Sequence, residues 1–325
     1  MKALVEIISP GMLACLQDRG RRGFRRIGVP TSGVLDSQAM RIANRLAGNP
    51  DDWPVIEFFG GGFALKALEA PIAIGLAGDF PHSWRTHLLG PGEIFRSGMI
   101  EKGRVGYVAI AGLEAEIWLG SASVYARAGL GSFLTSGTRL TCALGHGEAR
   151  ILSAPPKPEA GPIRVVLGPQ DDFFTPEAIA LFLAEEFEVT QESDRMGMRL
   201  AGPLLKHRDE KGSEIVSDAT LPGSIQVPGN GRPIVLLADG QTAGGYPKIA
   251  TVISADLPRL ACSAPGTRLR FAVVAPAEGG ELARQKERET KELLAAIKSA
   301  PPEGGVDLEA LYAANLVDGV FCHDP

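Results

Sequence analysis

Two apolar, β-branched runs do most to limit what this chain can fold into. Pro233-Ile234-Val235-Leu236-Leu237-Ala238-Asp239 and Ile249-Ala250-Thr251-Val252-Ile253-Ser254-Ala255-Asp256 are short, and neither carries a helical period. Both predict buried strands. Between them lies Gly240-Gln241-Thr242-Ala243-Gly244-Gly245-Tyr246-Pro247-Lys248. A turn that only reverses a chain needs about two residues. This one is longer, and it sets hydrogen-bonding side chains and an ammonium beside glycines that a ligand can approach closely. The plainer reading is a polar hairpin loop whose glycines solve a steric problem.

The rest of the chain has the same texture. With 40 glycines and 24 prolines in 325 residues, turn formers far exceed their average share of about 12%. This favours many short elements and a mainly β fold. A net charge of −5 argues against a nucleic-acid partner, for which a basic excess is expected. No apolar stretch reaches the roughly 18 residues of a membrane span. Glu6 and Pro10 break the N-terminal apolar run, so it does not read as a signal peptide. Cys15, Cys142, Cys262 and Cys322 are far apart, and no spacing supports a metal site or a redox pair. These features predict a cytoplasmic protein with reduced thiols.

Near the N-terminus, residues 3–8 and 12–17 read as a strand pair around Ser9-Pro10-Gly11. The loop that follows, residues 18–36, has five arginines within eight positions: Arg19, Arg21, Arg22, Arg25 and Arg26. Local carboxylates cannot satisfy them all, so the loop suits a carboxylate, a phosphate or an acidic partner surface. A solvated basic loop is the commoner case, but the interleaved glycines weigh against it. Asp36 can cap a helix over Ser37–Ala47, with Gly48 as its stop. Capping is the simpler role for Asp36 and catalysis the alternative. Residues 54–59, 63–68, 71–77, 85–89, 105–111, 115–119 and 123–127 read as strands. Gly60-Gly61-Gly62 lacks the strand-then-helix context of a dinucleotide site, and the chain has no phosphate-loop motif.

The proline-rich stretch at residues 154–162 is the best joint in the chain. It predicts an N-terminal unit over 1–153, a C-terminal unit over 163–276 and a helical tail over 277–325. The C-terminal unit should start with a strand at 163–167. A helix follows, capped by Thr175 and led by Pro176, with Phe187 on its buried face. Gly197-Met198-Arg199 echoes Gly23-Phe24-Arg25 and hints at two related halves. A last strand at 269–275, a charged helix at about 281–299 and a short helix from near Asp307 complete the expectation.

Several stretches together resemble one family. They are Asp18–Asp36, Arg41–Pro50, Ser193–Leu200 and Gly223–Ala261. The chain is similar to the family of KipA and the 5-oxoprolinase C component, also called allophanate hydrolase subunit 2 and related to the carboxyltransferase region of urea carboxylase. It departs from that pattern at Ala243, where a threonine is frequent, and at Ala219-Thr220, where a glycine is common. The resemblance implies two cyclophilin-like β-barrel units. It also implies partners, a KipI-like B component and an A component, in an assembly that opens the lactam 5-oxoproline to glutamate at the expense of ATP.

Opening an unstrained lactam in this way needs cations for phosphate and oxyanion, and a carboxylate to orient water. The candidate catalytic residues are Lys248, Asp36 and Asp256. The candidates for binding substrate or anion are Arg19, Arg25, Arg195, Gln226, Gln241, Thr242, Gly244, Gly245 and Tyr246. The plainer roles are a strand-end lysine reaching to water for Lys248 and a turn residue for Asp256. Two other readings compete. One is a carboxyltransferase acting on urea or a related small amide, with biotin brought in on a partner. The other is a non-catalytic regulatory protein whose arginine loop binds a protein.

Overall fold

The computed structural model describes residues 2–144, 147–157 and 159–300. The expected helix near Asp307 and Cys322 lie outside them. The first half of the chain contributes β1 (Lys2–Pro10), β2 (Leu13–Gln17), α1 (Ser37–Ala47), β3 (Val55–Phe59), β4 (Phe63–Ala67), β5 (Ile72–Gly78), β6 (Thr86–Leu89), β7 (Ile94–Arg96), β8 (Val105–Ile110), β9 (Arg139–Ala143) and β10 (Arg150–Ile151). All of these strands but β10 form two sheets, ordered β7-β4-β1-β9 and β2-β3-β8-β5-β6. The two sheets enclose a core of Val5, Ile7, Phe58, Phe63, Leu65, Ile74 and Val108.

β1 and β2 are not a strand pair. Gly11, at a φ of +67°, turns the chain from one sheet to the other. Residues 115–119 and 123–127 form no named strands either. Asp18 instead accepts hydrogen bonds from the Ser121 and Ser123 hydroxyls and from the Ala122 amide, which holds this segment as a loop.

α1 forms as its sequence dictates. The Asp36 carboxylate accepts from the Gln38 and Ala39 amides, and Gly48 ends the helix at a φ of +81°. Gly75 lets the helix settle onto β5, because a methyl group there would collide with the backbone of Ala43 and Ala47.

The second half supplies β11 (Ile163–Leu167), α2 (Pro176–Ala184), β12 (Phe187–Ser193), β13 (Gly197–Ala201), β14 (Asp218–Ala219), β15 (Ser224–Gln226), β16 (Ile234–Leu236), β17 (Ala243–Gly244), β18 (Lys248–Val252), α3 (Leu257–Ala261), β19 (Arg268–Leu269), β20 (Phe271–Val273), α4 (Pro276–Ala295) and β21 (Lys298–Ser299). Eight of these strands form one sheet, β19-β12-β13-β16-β15-β18-β11-β20. Its two outermost strands are separated in the chain by Arg270 alone, so the sheet curls almost into a closed barrel. The fold is therefore mainly β, with two barrel-like units and a few helices.

Three expectations change here. The runs around residues 234 and 250 are not a hairpin, because β15 lies between β16 and β18 and pairs with both. Phe187 opens a strand rather than closing a helix face. The echoed tripeptides differ in structure, since Arg25 opens a 3-10 turn while Gly197-Met198-Arg199 begins β13.

The halves share a core in which Met40, Ile42 and Leu46 of α1 join Val165, Phe182, Ile225 and Ile249. α4 returns over α1, where Gln38 donates to the Thr290 hydroxyl at 2.8 Å and Arg41 meets Glu287 at 2.8 Å.

Candidate functional site

The loop between β16 and β18 is pinned at both ends. Its middle forms β17, which pairs with β14 so that Asp218 lies opposite Gly244. Its end enters β18, where Lys248 pairs with Gln226 of β15. The ladder shifts register by one residue at this pair, so Gln226 and Lys248 are neighbours across the two strands next to a bulge.

Lys248 is only 1% exposed, which contradicts a lysine reaching to water. Its Nζ lies 2.9 Å from Asp218 Oδ2. Gln170 braces the pair, because its Nε2 donates to Asp218 at 3.2 Å and its Oε1 accepts from the Lys248 amide at 3.2 Å. The Lys248 bond, the Ala219 amide and Gln170 hold the Asp218 carboxyl below its usual range. Asp218 is thus ionised at neutral pH, with its side chain 49% exposed.

Gln226 Oε1 accepts from Gln241 Nε2 at 3.2 Å. Gly244 sits against both amides: a methyl carbon there would collide with Gln226 Nε2 and lie 2.9 Å from Gln241 Nε2. The Thr220 hydroxyl and the Arg25 guanidinium both donate to the Gln241 carbonyl, and Arg25 donates to the Thr220 carbonyl too. The N-terminal arginine loop therefore reaches the β16–β18 loop through Arg25. Burial lowers the pKa of that guanidinium. Thr242 and Gly245 contribute backbone carbonyls, to Thr220 N and Ile215 N, while Tyr246 is partly exposed at the rim.

Other candidates lie apart from this cluster. Arg19 is on the surface, 3.9 Å from Asp52. Arg195 is buried between Glu57 and Asp239 and donates to the Gly33 carbonyl. Burial opposes its charge, but the two carboxylates outweigh that and raise its pKa. Its charge is consumed inside the protein, so it clamps the two halves together rather than binding a ligand. Asp256 is fully buried and held by Arg164 and Arg259, which fixes the start of β11 and leaves it no role as a free base.

Asp36 caps α1 and also lines a cavity of about 600 Å³. That cavity lies between α1, α3, α4 and the proline-rich joint, with Lys102, Trp84, Arg259 and Lys286 among its walls. Burial raises the pKa of Asp36.

Sequence reasoning gave no role to Asp218, Gln170 or Thr220. Asp218 stood in the chain only as Ser217-Asp218, and the two-residue ladder that carries it to Lys248 has no local signature.

What the arrangement offers is a charged pair, two convergent amides, a guanidinium and a glycine floor. No helix among the described residues is long and apolar enough to cross a membrane. Residues 27–273 match the family model of the carboxyltransferase domain, subdomain A and B. The chain is 33% identical to the C subunit of 5-oxoprolinase from Escherichia coli over 309 residues, covering 90% of this chain and 98% of that one. It is 32% identical to the protein of the same name from Haemophilus influenzae, covering 87% and 96%. The solved structure of the K. lactis urea amidolyase superposes on 89% of this chain with a TM-score of 0.79 and 26% identity, but the match takes up only 20% of that larger protein.

Proposed function

Because the chain belongs to the family of carboxyltransferase domains made of subdomains A and B, we propose that it is the C subunit of an ATP-dependent 5-oxoprolinase. Acting with a KipI-like B component and an A component, it opens 5-oxo-L-proline to L-glutamate in a cytoplasmic complex. Two relatives that carry the name of the 5-oxoprolinase C subunit match almost end to end, at 96% and 98% of their own lengths. In the urea amidolyase the same region is a fraction of a longer chain.

The observation that carries the reading is the buried Lys248 ammonium held against a half-exposed Asp218 beside the Gly244 turn. A lactam carbonyl is a poor electrophile. Transfer of the γ-phosphoryl group of ATP to its oxygen, with ADP leaving, makes the carbon open to water. The C–N bond then breaks as the ring nitrogen takes a proton, and a second water hydrolyses the resulting acyl phosphate to the carboxylate and phosphate. Negative charge on the transferred phosphoryl oxygens accompanies every step. A fixed cation in a water-poor site stabilises such charge most, and Lys248 is that cation. Asp218, ionised and accessible, can orient the attacking water. Gln226, Gln241 and Arg25 position the lactam over Gly244, with Thr242, Gly245 and Tyr246 shaping the loop. ATP is a co-substrate of the whole assembly, bound by the complex.

Carboxyl transfer to urea or a related amide, from biotin carried on a partner, is the second reading. The family's name and the urea amidolyase superposition favour it. The test is glutamate release from 5-oxoproline and ATP by this chain purified with its B and A partners. Release that needs all three proteins upholds the proposal. An intact complex that releases none, but carboxylates urea when given a biotinylated carrier, replaces it with the second reading.

A further inference from the structure

Gln226 is a buried amide with its hydrogens unused. The residue is 2% exposed. Its Oε1 is occupied by Gln241, and its Nε2 is shielded from solvent without a hydrogen-bond partner. A second donor in the same cluster, Arg25 Nη1, is likewise buried and unpartnered. Native structures leave few such groups, because each forfeits its hydration for nothing. Both belong to residues that touch Gln241, and Gly244 lacks the methyl group that would collide with Gln226 Nε2. Lys248, the ladder partner of Gln226, adds an ammonium held against Asp218. Against these donors the cluster sets one charged acceptor, Asp218. The pocket is short of acceptors, and a ligand rich in them would supply what it lacks.

We propose that the space over Gly244 receives the carboxylate of a small organic acid. Gln226 Nε2 donates to one carboxylate oxygen, the Lys248 ammonium balances the charge, and Arg25 Nη1 serves a further acceptor on the same ligand. The inference rests on the placement of the substrate at this loop, and it adds the ligand class: an acid, in preference to a neutral amide.

The test is calorimetric titration of the assembled three-protein complex, without ATP, against 5-oxoproline, 2-pyrrolidinone (the same lactam without the carboxylate), urea and L-glutamate. The acid lactam should bind at least about tenfold more tightly than pyrrolidinone or urea. Gln226→Glu places a like charge against the ligand and keeps Lys248 as its own partner. Gln226→Met removes the donor and takes a partner only from Gln241, which is exposed to water, and this covers the case in which Gln226→Glu fails to fold. Each should cost 5-oxoproline about 10- to 100-fold in affinity and weaken pyrrolidinone by a far smaller factor.

Equal binding of acid and neutral lactam, unchanged affinity in both variants, or tighter binding of urea would overturn the proposal. The last result would mean that the amide presents its oxygen to the pocket. The outcomes also separate the two claims. Gln226-dependent binding of L-glutamate by a complex that turns over no 5-oxoproline upholds this inference and removes the oxoprolinase reading. Turnover with no preference for the acid does the reverse.

Discussion

Lys248 Nζ lies 2.9 Å from Asp218 Oδ2, the ammonium almost wholly buried and the carboxylate half open to solvent. A buried ion pair is weak evidence for stability, because desolvating the charges offsets their attraction. Here the open side belongs to the acid, so removing the lysine leaves Asp218 hydrated rather than stranded. Lys248→Met should therefore hold or raise the melting temperature. A large fall in the thermal unfolding midpoint would show that the pair exists for the fold and not for chemistry.

Arg195 makes the opposite case. It sits between Glu57 and Asp239 at 5% side-chain exposure, with Glu57 fully buried and Asp239 at 11%. Arg195→Met strands two buried acids and should cost about 3–5 kcal/mol, read from urea unfolding. Because Glu57 lies on β3 and Arg195 follows β12, the loss also loosens the contact between the halves.

Gly244→Ala tests the steric floor. The added methyl meets Gln226 Nε2 and Gln241 Nε2, which should cost about 1–3 kcal/mol by overpacking and push the two amides apart. Binding of 5-oxoproline should fall further than this modest destabilisation accounts for. Full binding by a folded Gly244→Ala protein would place the substrate elsewhere.

The pH dependence of Asp36 has a definite sign. Burial raises its pKa, and two backbone amides and Lys286 only partly offset that. The folded protein then holds this proton more tightly than the unfolded chain, whose value is near 3.9. Stability from this group is lost as pH rises from the unfolded value through the raised folded one, and the full cost applies above that window. Asp36→Asn keeps a good cap and removes the charge. It should flatten stability across the window and leave neutral-pH stability equal or higher, as measured by chemical unfolding at a series of pH values.

Local signals were legible and distant ones were not. Asp36, the apolar stripe and Gly48 define α1 to the residue, because cap, face and stop all lie within a dozen positions. Thr175 and Pro176 set the start of α2 in the same way. The β16–β18 pairing failed because β15, a three-residue strand, inserts between two runs that look like a hairpin. Arg195 and Arg25 were read alike, as candidates for binding substrate or anion. Only the fold shows that Glu57, far away in sequence, neutralises Arg195 while Arg25 reaches the loop. Lys248, Gln226, Gln241 and Gly244 were legible as candidates through glycine chemistry and family resemblance, and the fold brings them into one cluster. Asp218 was not, since a two-residue ladder delivers it.

The central claim is that the buried ammonium at Lys248 serves lactam opening, and one assay tests it most directly. Glutamate release from 5-oxoproline and ATP is measured for the complete complex carrying either wild-type chain or Lys248→Met. The account predicts ATP-dependent release by the wild type and a loss of at least about 100-fold in the variant, with the complex still assembled. Undiminished release by the Lys248→Met complex would contradict it.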